Sequence, residues 1–250
     1  MKASVSRRDV YKKTAVEEGW RARSAYKLIQ VESEMHFLKD SSRVVDLCSA
    51  PGSWSQVCAK LMPETDARKI ISIDLRRIVP IDGVTELRGD ITDVKTAENV
   101  ISLLDGNKAD AVLADGAPDT IIRIEFDEYV QHNIVKASLA IATMVLREGG
   151  TFVSKIFRTK SLPKLLAIFG CFFSKITMCK PRACRLSSVE SFIVCQGFKL
   201  PDGYSPTLCT DDLPTGPVPD VPFRMCGDVD GLDSERTYPL SNDQIEQEIE

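Results

Sequence analysis

Several features are scarce in this 250-residue sequence, and their absence limits what the chain can be. No apolar run approaches the roughly 20 residues that a membrane-spanning helix requires. The opening MKASVSRRDVYKK lacks the apolar core of a signal peptide. The eight cysteines lie mostly within apolar stretches at irregular spacing, which is typical of reduced core residues and of neither a disulfide framework nor a metal site. We therefore expect a cytoplasmic chain, with the nucleus as the alternative compartment, and no metal site.

Acidic side chains are absent from Lys155 to Arg185, although this stretch holds eight lysines and arginines. Residues 1–27 are also basic, with eight lysines and arginines against three acids. Residues 201–250 reverse the balance, with twelve acids, two arginines and seven of the thirteen prolines. The basic stretches are typical either of a solvated surface or of a polyanion-binding protein. Their position around a ligand-type turn, described below, favours a polyanion partner.

Strand and helix patterns alternate along residues 43–198, which predicts a parallel β-sheet with helices on both faces. The first strand is RVVDLC at residues 43–48. We expect seven strands in all, with the last of them, residues 188–198, antiparallel at the edge of the sheet. We interpret residues 1–200 as one domain, the part of the chain expected to be catalytic, which begins with a basic helical segment. The acidic, proline-rich residues 201–250 are interpreted as an irregular extension without a core of its own.

Glycine is scarce in the turn after the first strand, where residues 46–57 read DLCSAPGSWSQV. A turn from a strand into a helix often holds a nucleotide, but the phosphate-binding versions carry a glycine pattern and basic residues. This turn has only Gly52, which allows a close backbone approach. A nucleoside without phosphates therefore fits better than NAD or ATP. S-adenosylmethionine is such a nucleoside, and its amino-acid end suits a turn of backbone groups and carboxylates.

Aspartates follow consecutive strands of the predicted sheet, at Asp46, Asp74, Asp90 and Asp115. Ligands of open α/β sheets bind beyond the carboxyl ends of the strands, so these carboxylates should converge on one pocket. We expect Asp74 to accept hydrogen bonds from both ribose hydroxyls and Asp90 to lie near the base edge. One such aspartate alone is equally typical of a turn or a helix cap, but the series favours a ligand site. Trp54 is predicted either to lie in the core or to pack over the methionine part of the ligand.

Two basic segments carry features of RNA-binding surfaces. Residues 9–28 interleave lysines and arginines with tyrosines and a tryptophan, side chains that contact phosphates and stack on unpaired bases. Residues 180–188 hold three further basic residues. The alternative for both segments is a solvated surface. The candidates for RNA contact are Arg21, Arg23, Lys180, Arg182 and Arg185.

Several motifs together resemble the FtsJ-type ribose 2′-O-methyltransferases, namely VVDLCSAPGSWSQ, DGAPD and SKIFR. Further stretches resemble the eukaryotic branch that methylates the tRNA anticodon loop: GWRARSAYKL, GDIT, CKPRACRLSSVESFIVCQGF and VPFRMCGDVDGLDSERTYPL. The resemblance is collinear from about Arg8 to Leu240. It implies a Rossmann-like class I methyltransferase fold, S-adenosylmethionine as methyl donor, tRNA positions 32 and 34 as targets, and separate helper proteins that direct the enzyme to each position.

The resemblance also implies a catalytic tetrad of Lys, Asp, Lys and Glu. By motif, RSAYKL supplies Lys27, ADGAP supplies Asp115, SKIFR supplies Lys155 and SSVES supplies Glu190. An ordinary lysine amine is protonated at neutral pH, so the sequence leaves open whether Lys155 takes the proton of the ribose hydroxyl or only orients it. The donor contacts of the family fall on Gly52, Trp54, Asp74, Asp90 and Asp115.

Two parts of the chain leave alternatives open. After GAPD the family commonly has a small glycine-containing loop, whereas residues 120–126 read TIIRIEF, so the conformation beside the pocket is not predicted. The apolar side chains of the extension are expected either to pack on the catalytic domain or to dock a helper protein.

Other functions remain as alternatives to tRNA methylation. They are the same reaction on ribosomal or messenger RNA, a non-catalytic RNA-binding subunit, and an NAD-linked oxidoreductase. The intact tetrad disfavours the non-catalytic subunit, and the absence of a G-x-G-x-x-G turn disfavours the oxidoreductase.

Overall fold

The computed structural model describes residues 10–118, 124–185 and 187–228. Three predicted features lie partly outside these residues: the start of the basic N-terminal segment, most of the TIIRIEF loop, and the apolar residues of the extension beyond residue 228. The helices are α1 (Val10–Glu17), α2 (Ser24–Met35), α3 (Ser53–Leu61), α4 (Val94–Leu103), α5 (Ile124–Val145) and α6 (Leu162–Phe172). The strands are β1 (Arg43–Leu47), β2 (Lys69–Asp74), β3 (Val84–Arg88), β4 (Ala109–Ala114), β5 (Leu146–Phe157), β6 (Phe173–Pro181), β7 (Glu190–Phe198) and β8 (Phe223–Cys226).

Within the described residues, eight strands form one sheet in the order β3-β2-β1-β4-β5-β7-β6-β8. Strands β1 to β5 pair in parallel, and β7 runs antiparallel to both β5 and β6. The predicted mostly parallel α/β fold with one antiparallel strand is confirmed. Two details differ from the prediction. Strand β7 lies between β5 and β6, since it returns from β6 through a short connection as a hairpin does. The outer position belongs to an eighth strand, β8, which pairs in parallel with β6.

The sheet is packed on both faces because side chains alternate between its two sides along each apolar strand. Neighbouring residues of β5 show this, since Phe152 belongs to one apolar cluster and Val153 to the other. Helices α4, α5 and α6 cover the Phe152 face with Val100, Leu139 and Phe169. Helices α2 and α3 cover the Val153 face with Leu28 and Val57.

The described part of the extension lies against the sheet and α6. The main-chain N–H of Gly216 donates to the carbonyl of Ala167, 3.1 Å away, and the Tyr204 ring meets the edge of Phe172 at a centroid distance of 5.2 Å. A short 3₁₀ turn spans Thr210–Asp212, after which the chain adds β8 to the sheet. The extension is irregular through residue 222, as its composition predicts, but it then supplies a strand that extends the catalytic sheet.

The eight cysteines are reduced thiols, and five of them are buried. Among the residues that the structure describes, no three histidine, cysteine or acidic side chains are grouped to hold a metal ion. No helix within the same residues has the length and apolar character to cross a bilayer.

Candidate active site

A cavity of about 570 Å³ opens at the carboxyl ends of the central strands. The strand order reverses between β1 and β4, and this is the position where open α/β sheets bind ligands. One wall is the end of β2 with Asp74, another is formed by residues 89–92, and a third by residues 115–118. The apolar stripe of α5 closes the remaining side with Val130, Ile134 and Ala137. These three residues recur at helical spacing, which places them on one face of α5.

Asp74 and Asp90 lie on the wall of the cavity, where the sequence predicts them. The carboxylate of Asp74 accepts main-chain hydrogen bonds from Ala50, at 2.8 Å, and from Arg76, also at 2.8 Å. Asp90 accepts from the N–H of Thr92 at 2.9 Å and from its hydroxyl at 2.8 Å. Each carboxylate therefore has a fixed direction and retains lone pairs for a ligand, because an ionised carboxylate accepts about four hydrogen bonds.

Asp46 lies beneath the cavity and is fully buried. Its Oδ2 accepts a hydrogen bond of 2.6 Å from the Ser55 hydroxyl, while its Oδ1 has no hydrogen-bond partner among the described residues. Burial raises the pKa of Asp46 to about 7; the hydrogen bond from Ser55 opposes this shift, and the nearby charges of Asp115 and Asp74 add to it. The series of aspartates therefore does converge, with Asp46 as its innermost member.

The turn residues Gly52 and Trp54 are not among the residues that line the cavity, and their contact with the methyl donor stays a prediction. Gly52 has φ = +102°, and an added Cβ would lie 2.9 Å from the guanidinium of Arg21, so glycine is required there by the fold. Trp54 is 2% exposed, donates from its ring N–H to the Ser24 carbonyl at 3.0 Å, and packs on Phe192 at a centroid distance of 5.5 Å. Trp54 therefore takes the core alternative, since α2 and β7 enclose it.

The four tetrad residues form two ion pairs at the ends of α2, β4, β5 and β7. Lys27 Nζ lies 2.5 Å from Glu190 Oε1. Lys155 Nζ lies 2.9 Å from Asp115 Oδ1 and donates a hydrogen bond of 2.9 Å to the main-chain carbonyl of Asp115. Glu190 is held beside Lys155 by the pairing of β7 with β5, in which Phe157 is opposite Glu190. Because Asp115 also lines the cavity, the tetrad and the cavity adjoin at this residue.

The pairing keeps both partners of the Lys27–Glu190 pair charged. Burial lowers the pKa of Lys27, but the carboxylates of Asp115 and Glu190 outweigh it and raise the pKa above the usual lysine value. For Glu190, burial raises the pKa, but Lys27 and Lys155 outweigh it and lower the pKa to about 2. Lys27 therefore carries its proton at neutral pH and Glu190 carries none, so the pair holds fixed charges at the edge of the site.

Gln131 is a site residue that sequence reasoning did not identify. It is 2% exposed, and its side-chain amide donates to the main-chain carbonyls of Gly116, at 3.1 Å, and Lys155, at 3.0 Å. Gln131 thus ties the cavity wall after β4 to the end of β5. The available signal is a polar residue four positions before the buried Val135, on the same inward face of the helix.

Cys184 is a second residue that the sequence analysis missed. Its Sγ donates to Glu190 Oε1 at 3.1 Å. Burial, reinforced by the charge of Glu190, raises the pKa of the Cys184 thiol to about 12, so Cys184 remains a neutral donor. No local pattern in the sequence marks this cysteine, because the contact depends on how the chain between β6 and β7 folds back.

The basic residues proposed for RNA contact fall into two groups. Arg21 and Lys180 are bound within the protein: Arg21 donates to the carbonyls of Pro51, Val79 and Pro80. The buried Lys180 donates to the carbonyls of Ser188 and Glu190. The second group is half-buried to exposed, and Arg21 itself is also half-buried. It comprises Arg23, which donates to the Ala183 carbonyl at 3.1 Å, the half-buried Arg182 and the exposed Arg185.

Comparisons with known proteins agree with this geometry. Residues 20–198 match the FtsJ-like methyltransferase family. The human tRNA (cytidine(32)/guanosine(34)-2'-O)-methyltransferase is 42% identical over 250 residues, covering 96% of this chain and 76% of that protein. The Schizosaccharomyces pombe protein of the same name is 41% identical, covering 96% of this chain and 88% of its own.

Relatives that are named as ribosomal RNA methyltransferases match a shorter part of the chain. A chicken pre-rRNA 2'-O-ribose RNA methyltransferase is 41% identical over 201 residues, covering 80% of this chain and 24% of that protein. A Plasmodium falciparum crystal structure described as a ribosomal RNA methyltransferase superposes with a TM-score of 0.63 and 25% identity, covering 72% of this chain and 98% of its own. On the family match and on relatives that are more than 40% identical over nearly its whole length, this chain belongs to the FtsJ-like methyltransferase family.

Proposed function

We propose that the chain is a tRNA methyltransferase that uses S-adenosylmethionine to methylate ribose 2′-hydroxyls at positions 32 and 34 of the anticodon loop. The observation that carries this proposal is the contact between cavity and tetrad at Asp115. One face of Asp115 lines the cavity, and its Oδ1 lies 2.9 Å from Lys155 Nζ. A donor in the cavity and a hydroxyl at the tetrad would therefore lie side by side.

The groups that line the cavity suit S-adenosylmethionine as a ligand. Asp74 and Asp90 offer fixed acceptors for hydroxyl and amino groups. The glycine at Gly116 leaves no room for a side chain, since a Cβ there would lie 2.7 Å from Ile134 and 3.0 Å from the sulfur of Cys48, so the backbone forms the wall directly. When bound, S-adenosylmethionine supplies an electrophilic methyl group on a sulfonium.

The tetrad would position the ribose hydroxyl for the transfer. In-line displacement requires the hydroxyl oxygen about 3 Å from the methyl carbon. Lys155 Nζ is fixed in direction by two contacts with Asp115, and it retains one further N–H for the hydroxyl oxygen. Glu190 carries a negative charge at neutral pH because Lys27 and Lys155 lower its pKa to about 2. Of the four groups, Lys155 is the one that we assign to orienting the hydroxyl. As an ammonium it holds all of its protons, so the proton that the hydroxyl loses on methylation is released to solvent.

The choice of tRNA over ribosomal RNA rests on how much of the chain each group of relatives matches. The tRNA enzymes match 96% of this chain, including the extension with β8, whereas the pre-rRNA relative from chicken matches 80%. We therefore propose tRNA as the substrate, ribosomal RNA as the second candidate, and the cytoplasm as the site of action.

We also propose that the extension from residue 201 onward docks helper proteins, as the family resemblance implies. Part of the extension serves the fold, since Tyr204 packs on Phe172 and the buried Leu213 joins the core. A chain truncated after residue 228, which keeps β8 and the buried Leu213, should still bind the donor but recover fewer partners from cell extract. Equal recovery of partners by the truncated and full-length chains would reject the docking role.

The catalytic proposal is tested with the purified full-length chain, labelled S-adenosylmethionine and tRNA. Label should enter the tRNA, and a 2′-deoxy substitution at positions 32 and 34 should abolish its incorporation. Donor binding is checked separately, since S-adenosylmethionine should raise the melting temperature whereas NAD should not. Equal labelling of the deoxy-substituted tRNA would reject ribose methylation at these positions.

A further inference from the structure

The outer rim of the sheet, at strand β8, carries an exposed aromatic side chain that the catalytic proposal does not use. Phe223, the first residue of β8, is 49% exposed. The guanidinium of Arg158 lies over its ring, 5.7 Å from the centroid. We use the term platform for the Phe223 ring together with the Arg158 guanidinium.

The platform is attached to the catalytic segments by its arginine. Arg158 follows Phe157, whose strand partner is Glu190. Its main-chain N–H donates to the Val189 carbonyl at 2.9 Å, and its guanidinium donates to the Ser188 carbonyl at 3.4 Å. Arg158 is therefore fixed to the residues that immediately precede Glu190, and it lies three residues after Lys155 on the same strand end.

The surroundings of the platform are apolar and basic. Val189 is 49% exposed and Met225 is 47% exposed, so three apolar side chains lie open to solvent near this rim. The neighbouring chain from Lys155 to Arg185 contains no acid, and Lys160, Lys164 and Arg185 are exposed within it. An exposed ring paired with a guanidinium, on a surface with positive charge, is the combination on which proteins stack single-stranded bases.

We propose that the platform stacks an unpaired base of the substrate RNA, next to the nucleotide that is methylated. This proposal rests on the proposed function. Lys155 and Arg158 are three residues apart along extended chain, so they face opposite sides of the sheet. A base on the platform therefore lies across the strand ends from the tetrad, and it belongs to a flanking nucleotide and not to the target.

Stacking of an RNA base on Phe223 would give strand β8 a role beyond extending the sheet. Strand β8 pairs with β6 so that Phe223 is opposite Met178, which fixes the position of the ring at the outer edge of the sheet. Stacking on a ring tolerates every base. The platform would therefore recognise an unpaired, splayed nucleotide and no particular sequence, which suits a loop and not a duplex.

The test measures binding of an anticodon stem-loop RNA to full-length wild type and to Phe223→Ala, Phe223→Leu and Phe223→Trp. Loss of one stacked base weakens binding by about 5- to 150-fold, so we expect this loss for the alanine and leucine variants and near wild-type affinity for tryptophan. Val218→Ala, an equally exposed apolar residue of the same extension at 55%, should bind as wild type. Thermal unfolding and donor affinity should be unchanged in all four variants.

The base itself is identified by abasic substitutions across the RNA loop. At one flanking position, removal of the base should weaken binding to the wild-type protein. For Phe223→Ala, the same abasic RNA and the intact RNA should bind with equal affinity. The platform would be overturned if Phe223→Ala bound the intact RNA as tightly as wild type does. It would also be overturned if, at every abasic position, the losses of binding free energy from the missing base and from Phe223→Ala were simply additive. A Phe223→Ala protein that binds RNA normally but no longer captures a helper protein would overturn the platform as well. Absence of methylation by the wild type itself would instead reject the proposed function.

Discussion

The cavity and the tetrad adjoin at Asp115, but their charges are arranged differently. In the cavity, Asp74 and Asp90 accept hydrogen bonds mainly from main-chain and hydroxyl groups. In the tetrad, each carboxylate faces a lysine ammonium within 2.9 Å. The cavity therefore offers acceptors with spare lone pairs, whereas the tetrad offers balanced charges that hold one another in place. This difference predicts that one region binds the donor and the other carries out the transfer.

The largest expected effect would sharpen this division at Lys155. Lys155→Ala should lower the single-turnover rate of methyl transfer by about 10²- to 10⁴-fold, the range for a group that positions or transfers the reacting proton. Donor affinity should stay near the wild-type value, because the cavity wall does not include the Lys155 side chain. Lys175→Ala, an exposed lysine of β6, is the matched control and should transfer normally. Substantial transfer by Lys155→Ala would remove Lys155 from the reaction.

Asp74 should show the opposite pattern. Asp74→Ala removes a charged acceptor from the cavity and should weaken donor binding by about 1.5–3 kcal/mol, the worth of hydrogen bonds to a charged group. The transfer rate at saturating donor should fall much less. Isothermal titration gives the affinity and single-turnover assays give the rate. Asp93→Ala, which alters an exposed helix cap outside the cavity, should change neither. Unchanged donor affinity in Asp74→Ala would break the comparison.

Gln131 should affect both regions because it bonds to both. Gln131→Leu leaves the buried carbonyls of Gly116 and Lys155 without their side-chain donor, which costs about 1–3 kcal/mol. We expect donor affinity and transfer rate each to fall by about tenfold, whereas Lys155→Ala and Asp74→Ala each alter mainly one. His132→Leu, on the neighbouring and more exposed helix position, is the control. A Gln131→Leu chain that loses only melting temperature would assign Gln131 a purely structural role.

The smallest effect on catalysis is expected at Asp46, where the readout is stability. An acid whose pKa is raised from 3.8 to about 7 in the folded state binds its proton more tightly when folded. The free energy of unfolding should therefore fall as pH rises from about 4 to about 7, since a tenfold difference in proton affinity between the folded and unfolded chains is worth about 1.4 kcal/mol.

Asp46→Asn should remove that component of the pH dependence, because asparagine does not titrate and can still accept from Ser55. Denaturant unfolding of both proteins from pH 4.5 to pH 8 measures the difference. A wild-type curve parallel to that of Asp46→Asn would show that Asp46 is ionised throughout this range.

The sequence predicted the order of strands and helices well because β1, β2 and β4 are short apolar runs separated by clear turns. It placed the antiparallel strand at the edge, but the structure inserts β7 between β5 and β6. Local pattern identifies a strand but not its neighbour, since sheet order depends on long-range packing. Strand β8 was missed because its four residues lie in a proline-rich segment and pair only with a distant strand.

The residues that the sequence placed correctly on the cavity wall are those at or just after the end of a strand of the parallel sheet. Asp74, Asp90 and Asp115 lie on the cavity wall because each follows a parallel strand. Gly52 and Trp54 lie off that wall and contact Arg21, Ser24 and Phe192, because their surroundings depend on how the chain before and within α2 packs on the turn. Gln131 is in the same class, since its two carbonyl partners come from other elements.

The central claim is tested most directly by mapping ribose methylation in tRNA from cells that lack this protein and are supplied again with either wild type or Lys155→Ala. The account predicts that 2′-O-methylation at positions 32 and 34 disappears without the protein, returns with wild type, and does not return with Lys155→Ala expressed at the same level. Methylation that persists without the protein, or that Lys155→Ala restores, would contradict it.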